Sequence, residues 1–150
     1  MIEVPSVKMV LLAEDDPADA RLVQRAFDKC GRKFTVVRLT NGDDVIDYMN
    51  GRPPYENRAV HPLPNILLLD IKLPRRSGLE VLQWLRARSD ALRRVPVVML
   101  TSSRHSVDIN RAYELGANSY LAKPDTSSGL IDLVDAFQKY WFAHNEEPAL

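Results

Sequence analysis

The stretch Asn65-Ile-Leu-Leu-Leu-Asp70-Ile-Lys-Leu-Pro-Arg-Arg-Ser-Gly78 joins a short apolar run to a carboxylate and then to a turn-forming segment. A continuous apolar run of this length is typical of a strand buried on both faces, as in a parallel sheet. In open α/β sheets, ligands bind outside the carboxyl ends of the strands. The stretch therefore predicts an α/β fold with Asp70 at the edge of the sheet where chemistry takes place.

Three further apolar runs also end in polar side chains. The run 9–13 leads into Glu14, Asp15 and Asp16, the run 97–100 leads into Thr101, and the run 119–122 leads into Lys123. In a parallel sheet all four ends meet at one edge. Because crowded carboxylates repel one another, the site needs a cation. Oxygen ligands favour Mg²⁺, which also binds phosphoryl oxygens.

Strand-like and helix-like patterns alternate along the chain. Asp16 before Pro17 is typical of a helix N-cap, and Gly31 ends the helix that follows. A strand at 35–39 precedes a short helix at 43–49, and helices near 77–88, 107–115 and 127–142 follow the other strands. Five βα units predict a doubly wound parallel sheet with right-handed crossovers. The proline-rich segment Arg52 to Pro64 is predicted to be a surface loop.

The composition indicates one globular domain over residues 1–150, with a core at about 8–142 and flexible termini. Basic and acidic residues both number 20, and the chain has no basic block, which argues against direct nucleic-acid binding. The apolar runs fall far short of the roughly 20 residues of a membrane helix. The single cysteine, Cys30, fits a reducing compartment, so we expect a cytoplasmic protein.

Together these motifs resemble the receiver domain of bacterial two-component response regulators, over roughly Lys8 to Tyr140. The matching features are an acidic pair after the first strand, the pattern Asp-x-x-x-Pro-x-x-x-Gly, a hydroxyl residue followed by a small one, and Lys-Pro. In this chain they are Glu14-Asp15, Asp70 to Gly78, Thr101-Ser102 and Lys123-Pro124. The resemblance implies a flavodoxin-like (βα)5 fold with a five-stranded parallel sheet in the order 2-1-3-4-5.

The resemblance also implies the chemistry of the site. Asp70 would accept a phosphoryl group from the phosphohistidine of a sensor histidine kinase. Mg²⁺ would be bound by Asp15, Asp70 and the backbone carbonyl of Lys72, while Glu14 would hold a metal-bound water. We expect slow loss of the phosphoryl group by self-catalysis rather than turnover of a separate substrate, so the protein is a signalling phosphoacceptor and not an ordinary enzyme.

Further residues match positions that respond to phosphorylation in the family. Lys123 and Thr101 would contact the phosphoryl oxygens, since phosphoryl transfer depends mainly on positioning and charge neutralisation. Tyr120 matches an aromatic switch position that turns inward as Thr101 moves. Pro124 resembles a cis proline that turns Lys123 toward the site, although only a minority of X-Pro bonds are cis.

Output must be an interaction, because we expect no output domain after the last helix. That helix finishes Tyr140-Trp141-Phe142, and three consecutive aromatic residues cannot all face one core. The alternatives are homodimerisation through the face formed by residues 107–142, or local packing in a monomer. The long loop and aromatic C-terminus look like the small stand-alone regulators paired with cyanobacterial and other bacterial phytochrome kinases.

Three other functions compete with a terminal switch. A phosphorelay intermediate would pass the phosphoryl group to a histidine phosphotransfer protein and would share every site residue. A pseudo-receiver that binds partners without phosphorylation would lack part of the set Asp15, Asp70 and Lys123, and none is missing. A phosphohydrolase of the haloacid dehalogenase type needs a second acid two residues after the nucleophile, where this chain has Lys72.

Overall fold

The computed structural model of the chain describes residues 8–31 and 34–150. Within them lies a parallel five-stranded sheet in the order β2-β1-β3-β4-β5, which confirms the predicted fold. The strands are β1 Met9–Ala13, β2 Thr35–Leu39, β3 Ile66–Leu69, β4 Val97–Thr101 and β5 Ser119–Ala122. The α-helices are α1 Pro17–Lys29, α2 Gly42–Asn50, α3 Gly78–Arg86, α4 Ser106–Glu114 and α5 Ser127–Gln138.

Side-chain alternation along the central strands creates two cores, one on each face of the sheet. On β1, Leu11 faces a core that includes side chains of α2 and α3, while Val10 and Leu12 face a core that includes side chains of α1 and α5. Strands β1, β3 and β4 are buried along their whole length, as continuous apolar runs predict. The edge strand β5 is half-buried, so polar residues are tolerated there.

Capping side chains fix where the helices begin. The carboxylate of Asp16 accepts hydrogen bonds from the backbone N–H groups of Ala18 and Asp19, at 2.8 and 3.2 Å, which confirms the predicted N-cap of α1. Ser77 caps α3 in the same way through the N–H of Glu80 at 3.1 Å. These caps set the first turn of each helix beside the carboxyl edge of the sheet.

The predicted loop from Arg52 to Pro64 is folded against the C-terminal end of α2. The guanidinium of Arg58 donates hydrogen bonds to the carbonyl oxygens of Tyr48 and Met49, at 2.8 and 2.9 Å. It thereby satisfies two of the carbonyls that every helix leaves unpaired at its C-terminus. These capping contacts from Arg58 hold the loop against the end of α2.

The C-terminal segment also makes specific contacts. The carboxylate of Glu147 binds Lys8 Nζ at 2.8 Å and accepts a hydrogen bond from Asn65 Nδ2 at 2.8 Å. Arg94 donates a hydrogen bond to the carbonyl oxygen of Ala149 at 2.7 Å. The tail thus contacts the amino edge of the sheet, and the flexibility expected of the C-terminus stays a prediction. The N-terminus, also predicted to be flexible, falls on residues 1–7, which lie outside the described residues. Within the described ranges, no helix has the length and apolar character needed to cross a membrane.

Candidate functional site

The carboxyl edge of the sheet carries the site that the sequence predicts. Glu14 and Asp15 follow β1, Asp70 follows β3, Thr101 ends β4, and Lys123 follows β5. Main-chain hydrogen bonds fix the ends of the neighbouring strands, because Asp70 N donates to Ala13 O at 3.1 Å and Lys123 N donates to Thr101 O at 2.8 Å. Parallel pairing therefore brings residues more than 100 positions apart into one small volume.

Lys123 lies at the centre of this site and forms ion pairs with three carboxylates. Its ammonium group contacts Glu14 Oε1, lies 3.0 Å from Asp19 Oδ2 and lies 3.1 Å from Asp70 Oδ2. Burial lowers the pKa of Lys123, but the hydrogen bonds to Glu14 and Asp19, together with the charge of Asp70, outweigh burial and raise the pKa above its usual range. The ammonium therefore stays charged at neutral pH.

Glu14 is the most deeply buried carboxyl group of the cluster, with 2% of its surface exposed. Burial raises the pKa of Glu14 to about 7, and the charge of Asp70 adds to the rise while Lys123 opposes it. A further cation beside the cluster would favour the ionised form, because opposite charge lowers the pKa of a carboxyl group. A cation bound beside the cluster would therefore lower the pKa of Glu14.

The arrangement of the carboxylates fits such an ion. One oxygen from each of Glu14, Asp15 and Asp70 lies within 4.8 Å of the others. Mg²⁺ binds oxygen ligands at about 2.0–2.1 Å in an octahedron and usually keeps several waters. The three carboxylate oxygens therefore lie close enough together to be reached by one ion, directly or through water.

The loop after Asp70 approaches the sheet closely at a glycine. A Cβ atom added at Gly78 would lie 2.0 Å from the carbonyl oxygen of Asp70, so no other residue fits without displacing the backbone. Gly78 N also donates to Ile71 O at 2.8 Å, which closes the loop. The side chain of Lys72 is exposed and lines a shallow cleft of about 370 Å³ beside the site.

Thr101 is connected to Tyr120 through the loop that follows β4. Thr101 is 1% exposed, and its Oγ1 accepts a weak hydrogen bond from Ser103 N at 3.4 Å. The phenol of Tyr120 donates to Ser103 O at 2.9 Å, and its ring packs against the core on that face. Ser103 Oγ donates to Asp108 Oδ2 on α4 at 2.5 Å. A movement of Thr101 would thus reach both Tyr120 and α4.

The predicted cis peptide bond before Pro124 is wrong. Among the described residues, the single cis peptide bond joins Pro53 and Pro54, so the bond between Lys123 and Pro124 is trans. The trans form is favoured by about 0.5–1 kcal/mol for X-Pro bonds. Lys123 still reaches the three carboxylates in this conformation.

The aromatic residues 140–142 lie in a π-helical turn, Lys139–His144, that continues α5. Phe142 packs against Phe34 with ring centroids 4.6 Å apart, and Trp141 is partly buried against the same core. Tyr140 is 56% exposed. As expected for three consecutive aromatic residues, one of them therefore faces outward.

Sequence reasoning missed two residues that contact the site. Asp19 lies in the first turn of α1 and pairs with Lys123, and Arg38 on β2 donates to the main-chain oxygens of Glu14 at 2.9 Å and Asp15 at 3.1 Å. A hint for Asp19 was its position one helical turn after the acidic pair, whereas nothing in the sequence marks Arg38.

Comparison with known proteins gives the family. The sequence profile of the response regulator receiver domain matches residues 10–135. The chain belongs to this family. This receiver domain is 35% identical to the response regulator Rcp1 of Synechocystis sp., with 95% of this chain and 94% of Rcp1 covered. It is 36% identical to the probable methanogenesis regulatory protein FilR2 of Methanothrix harundinacea, with 99% of this chain and 92% of FilR2 covered.

Solved structures agree with these relatives. The phosphorylated cyanobacterial phytochrome response regulator RcpA matches the receiver domain with a TM-score of 0.88 and 31% identity, over 96% of this chain and 100% of that one. The Mn²⁺-bound form of Rcp1 matches with a TM-score of 0.85 and 34% identity, over 95% and 99% of the two chains. The predicted likeness to phytochrome response regulators is thereby confirmed.

Proposed function

We propose that this receiver domain accepts a phosphoryl group on Asp70 from the phosphohistidine of a sensor histidine kinase and thereby switches its interactions with other proteins. The placement of Asp70 carries the proposal. Asp70 is 7% exposed and follows the carboxyl end of β3. Its carboxylate lies 3.1 Å from the Lys123 ammonium and close to the carboxylates of Glu14 and Asp15. A single cysteine, Cys30, supports a cytoplasmic setting for this exchange.

An ionised Asp70 carboxylate attacks without a general base. One of its oxygens would bond to phosphorus as the bond from phosphorus to the kinase imidazole nitrogen breaks. The imidazole leaves with that electron pair as a neutral ring, since its other nitrogen carries a proton. Lys123 would bind one phosphoryl oxygen, and the Thr101 hydroxyl would donate to another, because such transfer depends on positioning and charge neutralisation.

The carboxylates of Asp15 and Asp70 and the main-chain carbonyl of Lys72 would hold Mg²⁺, with Glu14 acting through water. When bound, the ion neutralises charge on the transferring phosphoryl oxygens. The Mn²⁺-bound structure of Rcp1, at 34% identity, supports a divalent cation here. The likeness to RcpA supports a phytochrome as the partner kinase.

A homodimer through the face formed by residues 107–142 is the output that the surface favours. Val107 and Tyr113 on α4 are 76% and 50% exposed, and Tyr140 beyond α5 is 56% exposed. Exposed apolar patches often mark protein interfaces, and all three of these side chains belong to the segment 107–142 or directly follow α5 within it. Because Tyr120 connects Thr101 to this face through Ser103, phosphorylation at Asp70 would change it.

The test of phosphorylation is intact mass spectrometry after incubation with Mg²⁺ and acetyl phosphate. We expect one added phosphoryl group in the natural chain and none in Asp70→Asn. The matched control Asp132→Asn removes an exposed carboxylate on α5 and should be labelled normally. Labelling of Asp70→Asn at equal yield would contradict the proposal. No labelling of any chain, together with no binding of beryllofluoride, would favour a pseudo-receiver.

Light scattering with beryllofluoride and Mg²⁺ tests the output. We expect a shift toward the dimer that Val107→Ser weakens and Val60→Ser does not, since Val60 is equally apolar and 65% exposed but lies in the loop before β3. An unchanged molar mass on labelling would contradict the dimer and favour a monomeric relay.

A further inference from the structure

Asp19 is the unexpected partner of Lys123. An ammonium group has three N–H donors, and in this site three carboxylates surround it: Glu14, Asp19 and Asp70. The Lys123 ammonium lies 3.0 Å from Asp19 and 3.1 Å from Asp70, so the two carboxylates share it almost equally. Asp19 therefore binds the same cation that the acceptor needs.

The position of Asp19 on α1 is fixed by the helix itself. Its backbone N–H donates to the N-cap carboxylate of Asp16 at 3.2 Å, which holds the first turn in place. A negative side chain is also stabilised near a helix N-terminus by the helix dipole. The Asp19 side chain is 40% exposed, against 9% for Asp70 and 2% for Glu14. It forms the solvent-facing side of the cluster, on the side of α1.

Two physical effects of Asp19 act in the same direction on a phosphoryl group at Asp70. The Asp19 carboxylate takes up part of the positive charge of Lys123, which would otherwise neutralise phosphoryl oxygens. It also adds negative charge beside a group that is itself strongly anionic, and like charges disfavour one another. Both effects lower the affinity of the site for the phosphoryl group.

We propose that Asp19 is a positioning residue that draws the Lys123 ammonium toward α1 and so weakens the hold of the site on the phosphoryl group at Asp70. This inference rests on the proposed function of Asp70 as phosphoacceptor. Phosphorylation then requires Lys123 to shift its contacts from Asp19 to a phosphoryl oxygen. The strength of the Asp19 pair thereby sets how readily the phosphorylated state forms.

The test is calorimetric titration of the full chain with beryllofluoride in saturating Mg²⁺. The variant Asp19→Asn keeps the shape of the side chain and removes its charge. We expect it to bind beryllofluoride about two- to fivefold more tightly, the range of a partly exposed ion pair. The gain should shrink as salt is raised, because salt screens such pairs. Restoring the carboxylate with Asp19→Glu should return the affinity to that of the natural chain.

The matched control is Asp125→Asn, which removes an exposed carboxylate two residues after Lys123 that makes no ion pair with it within the described residues. Equal tightening in Asp125→Asn would overturn the inference, because net charge alone would then explain the gain. Unchanged or weaker binding in Asp19→Asn would also overturn it. If the natural chain binds no beryllofluoride, the proposed function fails instead, so the two failures are distinguishable.

Discussion

Replacing Arg86 with methionine removes a cation that holds the amino edge of the sheet together. The guanidinium donates hydrogen bonds to Gly116 O at 2.9 Å, Arg93 O at 2.7 Å, Val95 O at 2.7 Å and Asn118 Oδ1 at 2.9 Å. None of these acceptors is a carboxylate, and burial lowers the pKa of Arg86. Together the four hydrogen bonds join the C-terminal end of α3 to the segments that precede β4 and β5.

The size of the effect follows from the burial of these bonds. The bonds to Gly116 and Val95 are partly buried, while those to Arg93 and Asn118 are exposed. A partly buried bond from a charged group contributes about 1.5 kcal/mol, at the lower end of the range for such bonds, and an exposed one much less, so the free energy of unfolding should fall by about 3 kcal/mol. Methionine retains most of the apolar stem of Arg86, so little packing is lost.

Urea unfolding followed by the fluorescence of Trp84 and Trp141 measures this loss. The slope of the free energy of unfolding against urea concentration should not change. The control Arg94→Met removes one exposed bond to Ala149 and should cost less than about 0.5 kcal/mol. A loss below about 1 kcal/mol in Arg86→Met would refute the reasoning. Labelling by acetyl phosphate should persist in folded protein, because Arg86 lies at the edge opposite Asp70.

Three further changes test the site. Gly78→Ala places a Cβ 2.0 Å from the carbonyl oxygen of Asp70, so the free energy of unfolding measured in urea should fall by about 2 kcal/mol or more. Arg38→Lys keeps the charge but loses the planar fork whose separate nitrogens reach the two main-chain oxygens of the acidic turn, and calorimetry should show Mg²⁺ binding weakened roughly tenfold. Lys123→Ala should retain some phosphorylation by mass spectrometry while the shift toward dimer in light scattering is lost.

Each of these expectations has a result that contradicts it. Gly31→Ala is the control for Gly78, because Gly31 has a positive φ of 66° but no neighbour within 4 Å, and it should cost only about 1 kcal/mol. Equal losses in the two variants would count against the steric argument. Unchanged Mg²⁺ affinity in Arg38→Lys would mean that the acidic turn keeps its conformation without the two hydrogen bonds from Arg38. Normal dimerisation of Lys123→Ala would exclude coupling through the lysine.

Local patterns explain why much of the fold was predictable. Strands β2 and β5 begin and end at the predicted residues, because each is a short run of suitable side chains between turn signals. The N-cap at Asp16 was readable for the same reason. Acidic, hydroxyl and amine side chains at four strand ends could be assigned to one site, since parallel strands bring their carboxyl ends together.

Contacts between distant elements account for what the sequence did not reveal. The pairing of Asp19 with Lys123 joins residues 104 positions apart and depends on where the first turn of α1 is placed relative to the residue that follows β5. The same holds for Arg38, because its partners are two main-chain oxygens. A pattern of side chains along the sequence does not indicate such contacts. The trans bond at Pro124 was missed because the cis expectation came from the family resemblance, whereas the dipeptide itself favours trans.

The bond between Lys8 and Glu147 has a practical consequence for building with this domain. The two residues stand at opposite ends of the described chain, and their side chains are 2.8 Å apart. Domains with neighbouring ends tolerate insertion into a host protein, because neither junction needs to be stretched. The unit could therefore be grafted by both ends into an exposed loop of a reporter protein, with the two junctions close together and the carboxyl edge of the sheet left open to solvent on the opposite side.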